Sequence, residues 1–451
     1  MKSAIVLAAG KGTRMKSSLS KVMHPVCNKP MIGHIVSTLE EAGVQRIVVV
    51  VGHGAESVKE YLKDRVEYAL QEPQLGTGHS VMMADMLKDE TGDTIVLCGD
   101  GPCIQKETIQ KVFEANVDYS ATVVTSVLAD GVRYGRIVRN EKGLVEKIVE
   151  AKDCSEEQLN IKEINTGIFC FKNQLLFEGL KEIKNENAQN EYYLTDLLEI
   201  FNVHGYPVNA MVLKDSDEAM GVNDRVDLAK ANAWMRQHIN HQHMLNGVTL
   251  IDPLNTYIDR DVVIGEDSVI YPNVTLQGNT TIGKNVTILP GSFLVNAIIE
   301  DNVVIDSSRI TDSKVGARSS VGPMSHLRNN CEVGEDCRIG NFVEFKKTQF
   351  GNNSKCAHLT YVGDATVGEN VNFGCGVVTV NYDGKNKFRT VIKDGAFIGS
   401  NCNLIAPVTI GKNALLAAGS TITNDVEDGD MGIARNRQEN RVGYGTKYKN
   451  K

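Results

Sequence analysis

Ten cysteines are scattered along the 451-residue chain without a single C-x-x-C pair, so neither a zinc ribbon nor a thioredoxin-type redox motif is legible. The cysteines read instead as reduced, buried small side chains. No apolar stretch approaches the ~18 residues that a membrane-crossing helix needs. The N-terminal MKSAIVLAAGKGTR places charge directly after a short apolar run and lacks a signal-peptide core. A cytoplasmic protein is the expectation. An excess of basic charge is missing too: 48 Lys+Arg face 56 Asp+Glu, for a net charge of -8. That balance argues against nucleic acid or membrane as partners and leaves room for local basic pockets suited to phosphorylated small molecules. Tryptophan occurs once, whereas glycine reaches 41 residues, about 9% against a typical ~7%, an excess that calls for a structural explanation.

What is present is a soluble, core-forming composition, with 42% hydrophobic and 23% charged residues and a mean hydropathy of -0.19. Single cores seldom grow past ~250–300 residues, so at least two large domains are expected. From Met1 to about Leu228, short β-branched runs (AIVLAA, RIVVVVG, TIVLCGD) alternate with helical patterns such as MIGHIVSTLEEAG and AESVKEYLKDR. Fully apolar strands alternating with helices predict an α/β, Rossmann-like domain over 1–223, with a mostly parallel sheet and ligands at the strands' carboxyl ends. Residues 224–246 lack proline and glycine up to Leu245 and read as one polar linker helix.

After residue 247 the period becomes six. Aliphatics stand at Ile258, Ile264, Ile270, Leu276, Ile282, Ile288 and Leu294; after a phase shift at Ile298, Val304 and Ile310; then from Val315 to Phe345, and again from Ile392 to Ile422. Glycines follow many of them, which accounts for the glycine excess at tight corners. Such a register predicts a hexapeptide-repeat β-helix over 247–451, with about ten coils stacked at ~4.8 Å. Cys331, Cys337 and Cys402 each lie two residues before a column position and read as corner fillers. The interruption between Thr379 and Thr390 carries an Asp-Gly turn and should project as a loop.

The segment LAAGKGTRM directly follows the first apolar strand. Its glycines allow backbone N–H groups to approach an anion, and Lys11, Arg14 and Lys21 bring positive charge. It is neither a Walker A sequence nor a dinucleotide fingerprint. Asp100 ends the strand LCGD, a natural place for an Mg²⁺ ligand. This loop resembles the signature of sugar-nucleotide pyrophosphorylases. The later segments QEPQLGTGHS, LCGDGP, YGRIV, IVEAKD, EINTG and GVNDR, in that order, are similar to the bacterial bifunctional family that acetylates glucosamine 1-phosphate and uridylylates the product. The resemblance spans essentially the whole chain.

It implies that Leu7, Ala8, Ala9, Gly10, Lys11, Gly12, Thr13, Arg14 and Lys21 hold UTP, with Arg14 and Lys21 catalytic. Gln71, Gly76 and Thr77 would recognise the uracil, and Gly135, Glu150 and Asn165 the N-acetylglucosamine moiety. Asp100 and Asn223 would be the metal ligands, with Mg²⁺ as cofactor. In the second half, HLTY and NYDG match the family's acetyl-transfer elements. His358 would be the general base. Arg328, Lys346, Tyr361, Asn372, Cys375, Asn381, Tyr382, Ser400, Ala418 and Arg435 would bind glucosamine 1-phosphate and acetyl-CoA. Three departures stand out: Ser20 replaces a proline, Cys103 an aliphatic residue and Cys375 an alanine.

The resemblance further implies a left-handed parallel β-helix, a homotrimer with acetyl-transfer sites between subunits, and a place in cell-wall precursor synthesis. Only His326 and His358 follow residue 250, so a three-histidine zinc site of the carbonic anhydrase type lacks its ligands. A competing reading keeps the nucleotidyl transfer and makes the β-helix a non-catalytic oligomerisation module. The basic tail RNRQENRVGYGTKYKNK suits the coenzyme's phosphates near Arg435 and reads as solvated beyond Tyr444.

Overall fold

The computed structural model describes residues 1–128 and 134–448. Its contacts divide the chain into two compact units, Met1–Met235 and Arg236–Lys451. Among the described residues, no helix is long and apolar enough to cross a membrane.

Apart from a small antiparallel pair, Pro25–Val26 with Lys29–Pro30, the strands of the first unit are β1 (Lys2–Ala8), β2 (Arg46–Val51), β3 (Glu67–Leu70), β4 (Asp93–Cys98), β5 (Ala121–Val127), β6 (Arg136–Arg139), β7 (Val145–Val149), β8 (Glu163–Lys172) and β9 (Val208–Val212). They form one sheet in the order β9-β5-β8-β4-β1-β2-β3, with β6 and β7 paired off β8. Along this order neighbours run parallel, except that β8 lies antiparallel between β4 and β5; β6 pairs antiparallel with β8, and β7 antiparallel with β6. Two apolar clusters cover the sheet, one around Val6, Val49 and Leu97 and the other around Ile5, Val48 and Val96. Alternate strand residues thus face opposite layers, which explains why these strands read as continuous apolar runs. Leu7 lies beside Cys98 in the β1–β4 register. The loops leaving those two strands therefore emerge together at the sheet's carboxyl edge.

The second unit is three parallel sheets of eleven, ten and nine short strands, the arrangement expected of a left-handed β-helix. Ile270 pairs with Ile288 one coil on, and Leu276 with Leu294. Strand identity repeats every third element because a single coil has three sides. Coil backbones pack closely at the corners: a Cβ on Gly265 would lie 2.7 Å from the Gly283 backbone. Cys331, Cys337 and Cys402 are buried inside corners, as small fillers.

One run of the repeat differs from expectation. Ile298 and Val304 are 49% and 41% exposed, whereas Ile299 and Ile305 are 1% and 0% exposed. Asn296, Ser307 and Asp312 have φ of 49°, 40° and 46°, and these left-handed residues turn the corner early, so Leu294 to Ile299 and Ile305 to Ile310 are five-residue steps. In an Ile-Ile or Val-Ile doublet only one side chain faces inward, and the letters do not say which. Ile299→Ala is accordingly expected to cost about 2–5 kcal/mol of β-helix stability, and Ile298→Ala less than about 0.5 kcal/mol. Denaturant titration of the β-helix transition measures both.

The polar helix over 224–246 is observed as Arg225–Leu245, but it is not a bare linker. Asn232 Oδ1 accepts the Cys27 N–H at 2.9 Å, and Ala231 and Met235 are buried. In the second unit, Asn240 Nδ2 donates to the Pro253 and Thr256 carbonyls at 2.7 and 3.0 Å. The apolar stripe Ala231, Met235, Ile239 recurs at i+4, and abundant polar neighbours mask it in the sequence.

Candidate functional sites

Three loops converge at the carboxyl edge of the first unit's sheet. Gly12 adopts φ +59, and a Cβ there would lie 2.6 Å from the Lys21 Cβ. The phosphate-loop candidate thus presses against the base of the Lys21 side chain. A 3-10 turn, Thr13–Met15, presents Arg14, and a second, Lys21–Met23, begins with the lysine itself. Asp100 follows β4, and its carbonyl accepts the Val222 N–H at 2.9 Å. That bond brings Asn223, just before the Arg225–Leu245 helix, beside Asp100.

Lys21 Nζ forms an ion pair with Asp100 Oδ2 and donates to Asn223 Oδ1 at 2.9 Å. Arg14 Nη2 donates to the same amide oxygen at 2.8 Å. The two candidate metal ligands therefore converge on one point and already hold a cation there, the lysine ammonium. A carboxylate plus an amide oxygen suits a hard divalent ion that completes its shell with phosphate and water. Among the described residues, no group of three or more His, Cys, Asp or Glu could hold a metal ion.

A cleft of about 340 Å³ adjoins this point, lined by Leu7, Ala8, Ala9, Gly10, Lys21, Gln71, Gly76, Thr77 and Asp100, all singled out from the sequence. Val22, Gln74, Ser80, Cys98 and Glu191 line it as well and were missed. Gln74 Nε2 donates to the Ala9 carbonyl. Its place in QEPQ, three residues after Gln71 in the loop before the Thr77–Met82 helix, is the signal that would have marked it. Gln71 Nε2 donates to the Gly76 carbonyl at 3.0 Å, and Thr77 Oγ1 accepts the Leu194 N–H at 3.1 Å. Lys11 lies in a neighbouring cleft that shares Gln71 and Gln74 and includes His53.

The three sugar-side candidates sit together. The Asn165 N–H donates to the Gly135 carbonyl at 2.9 Å, and a Cβ on Gly135 would lie 3.4 Å from Glu150 Oε2. Burial raises the Glu150 pKa, opposed by a hydrogen bond from Thr195. Beyond it, burial and then the charges of Glu199, Glu150 and Asp153 push Asp196 up to about 6. A carboxyl with a raised folded-state pKa favours the fold while protonated, and that contribution is lost as pH rises from about 4 through about 6. Asp196→Asn should therefore raise the first unit's melting temperature at pH 7.5 by about 2–4 °C and leave it unchanged at pH 4. Thermal melts at the two pH values check the sign.

Of the departures, Cys103 is fully buried and serves packing. Ser20 is buried with its hydroxyl unpartnered, and its extended backbone at φ -52 is one that proline also adopts.

In the second unit, Arg328 and Lys346 are register neighbours on adjacent coils, and Tyr361 aligns with Glu344. Arg328 Nε pairs with Glu344 at 2.8 Å. Lys346 Nζ lies 3.4 Å from Asp364, whose carboxylate also accepts from Asn381 Nδ2. The Asp364 carboxylate raises the Lys346 pKa, and the facing Lys346 ammonium lowers that of Lys387. Tyr382 is exposed on a loop closed by its bridge to Lys387.

His358 is exposed at the end of the strand Lys355–His358, and Asn372 lies on the next strand of that sheet. The carbonyls of His358, Cys375 and Ser400 accept from Gly376, Asn401 and Gly419 at 3.2, 2.7 and 2.8 Å. His358, Cys375 and Ser400 therefore occupy one corner of successive coils, and Ala418 precedes Gly419 at the same corner of the next. A Cβ on Gly419 would lie 3.9 Å from Arg435 Cδ, which places that arginine at the end of the column. Residues 449–451 of the tail lie outside the described residues.

Comparison with known proteins agrees with both halves. The family described as nucleotidyl transferase matches residues 3–236, a GMPPB C-terminal domain matches 253–349, and the bacterial transferase hexapeptide (six repeats) matches 389–424. The chain is 56% identical to the "Bifunctional protein GlmU" of Exiguobacterium sibiricum, over 98% of this chain and 99% of that protein. It is 53% identical to the protein of that name from Halalkalibacterium halodurans, over 99% of each. The Bacillus subtilis counterpart is 51% identical, over 98% of this chain and 97% of its own length.

Proposed function

We propose a two-site enzyme on the premise that this chain belongs to the family of the bifunctional GlmU proteins. Its β-helix transfers acetyl from acetyl-CoA to glucosamine 1-phosphate. Its first unit then joins N-acetylglucosamine 1-phosphate to the uridylyl group of UTP and releases pyrophosphate. The observation that carries this reading is the meeting of Arg14, Lys21, Asp100 and Asn223, 209 residues apart at the extremes, beside a base-sized cleft.

In uridylyl transfer two anions must approach, so positioning and charge neutralisation do most of the work and no covalent enzyme intermediate is needed. Gln71, Gly76 and Thr77 hold the uracil, and Gly135, Glu150 and Asn165 hold the sugar. Arg14 and Lys21 draw charge from the phosphates as the sugar phosphate oxygen attacks the α-phosphorus and pyrophosphate leaves. Mg²⁺, held by Asp100 and Asn223, would add charge neutralisation at the same phosphates.

In acetyl transfer the glucosamine nitrogen attacks the thioester carbonyl, a C–N bond forms, the C–S bond breaks, and coenzyme A leaves as its thiol. His358 removes the amine proton. Arg328 and Lys346 hold the sugar phosphate, while Tyr361, Asn372, Asn381 and Tyr382 position the reactants. The corner column Cys375, Ser400, Ala418 then gives an extended coenzyme a track toward Arg435, whose charge suits its phosphates.

Next to His358, Met324, Phe342 and Leu359 are 60%, 60% and 61% exposed with φ of 57°, 57° and 44°. Bulky apolar side chains in left-handed backbone, left facing water, support a surface covered by another copy. A homotrimer with shared acetyl-transfer sites, working in the cytoplasm, completes the proposal.

The test is to incubate the protein with glucosamine 1-phosphate and acetyl-CoA, then add UTP and Mg²⁺, following products by mass spectrometry. N-acetylglucosamine 1-phosphate before UTP, and its UDP derivative afterwards, is the expected sequence. Uridylylation of supplied N-acetylglucosamine 1-phosphate without any acetylation would leave the β-helix as a scaffold.

A further inference from the structure

We infer that Lys21 is a displaceable internal counter-ion: in the free enzyme its ammonium occupies the metal position, and the nucleoside triphosphate must draw it away before a divalent ion binds well. The inference rests on Asp100 and Asn223 being the metal ligands. Lys21 Nζ contacts Asp100 Oδ2 and Asn223 Oδ1 together, so it engages both donors that the ion would use. An ion bound to those oxygens at about 2.1 Å would sit against the ammonium. The lysine and aspartate side chains are only 14% and 20% exposed, so water screens the repulsion poorly and the two cations exclude one another.

The anchoring of the side chain shows how the exchange happens. A Cβ on Gly12 would lie 2.6, 3.2 and 3.3 Å from the Lys21 Cβ, Cγ and Cδ, so the stem of the side chain is held against the loop and the Cε and ammonium are left to swing. Arg14 Nη2 shares the Asn223 oxygen at 2.8 Å, so both cations are stored on the ligands they must vacate. A triphosphate in the cleft offers each a new anionic partner. Metal and nucleotide then favour each other's binding by the same factor, because the coupling between two sites is reciprocal.

The experiment measures Mn²⁺ binding to the full-length protein by electron paramagnetic resonance without nucleotide. Lys21→Met and Lys21→Gln should each tighten Mn²⁺ binding about tenfold, whereas Lys11→Met, which removes the same charge from the loop, should change it less than about twofold because screening weakens a charge that does not touch the ion. Two substitutions keep the test alive if one impairs folding. Equal tightening in the Lys21 and Lys11 variants would overturn the counter-ion role, since only net charge would then matter. A gain that survives in Lys21→Met/Asp100→Asn would instead overturn Asp100 as a ligand, and the inference with it.

Discussion

His358→Ala is expected to lower acetyl transfer about 10²–10⁴-fold, the usual contribution of a positioned general base, while uridylyl transfer from supplied N-acetylglucosamine 1-phosphate stays within about twofold of the unaltered enzyme. The two units are separately compact, and His358 is an exposed strand-end residue rather than part of the buried column, so its removal leaves no cavity. The loss should appear in kcat more than in KM, because a base would act as the proton leaves, whereas the proposed phosphate holders are Arg328 and Lys346. Separate assays of each half-reaction measure both effects. Retained acetyl transfer would move the base elsewhere.

Asp100→Asn is expected to produce the opposite pattern, with uridylyl transfer reduced about 10²–10³-fold and acetyl transfer preserved. The substitution keeps the size of the side chain but removes the carboxylate that now pairs with Lys21 and would hold the divalent ion. Raising the Mg²⁺ concentration should recover part of the rate, because the amide is a weaker ligand but still an oxygen donor. Loss of both activities together would mean that the change had disturbed the protein as a whole.

The legible part of the first site is local. Gly10, Lys11, Gly12 and Arg14 stand in one loop after a recognisable strand, and Asp100 ends another. Ser80 and Cys98 stand inside the segments QEPQLGTGHS and LCGDGP, but their residue types point to no role there, and Glu191 lies outside any quoted segment; Cys98 reaches the cleft because β1 and β4 are neighbours, and Glu191 because the 191–194 segment folds back against Thr77. In the β-helix the six-residue period is visible from Ile258 to Leu294, while the Ile298–Val304 stretch misleads because an aliphatic doublet hides which residue turns inward. The corner shared by His358, Cys375 and Ser400 is equally hidden, since the spacing from Cys375 to Ser400 contains the projecting loop.

Periodicity and short motifs are properties of neighbouring residues, and they sufficed for the α/β unit and the hexapeptide coil, while the chemistry expected of each came from the resemblance that the motifs carry. The meeting of Lys21 with Asp100 and Asn223, the inward choice at Ile299, and the corner column of the coenzyme candidates all depend on partners tens to hundreds of residues away. They are decided by strand order and coil stacking, because a side chain's partners follow from where the backbone has been brought, and only the packed core sets that.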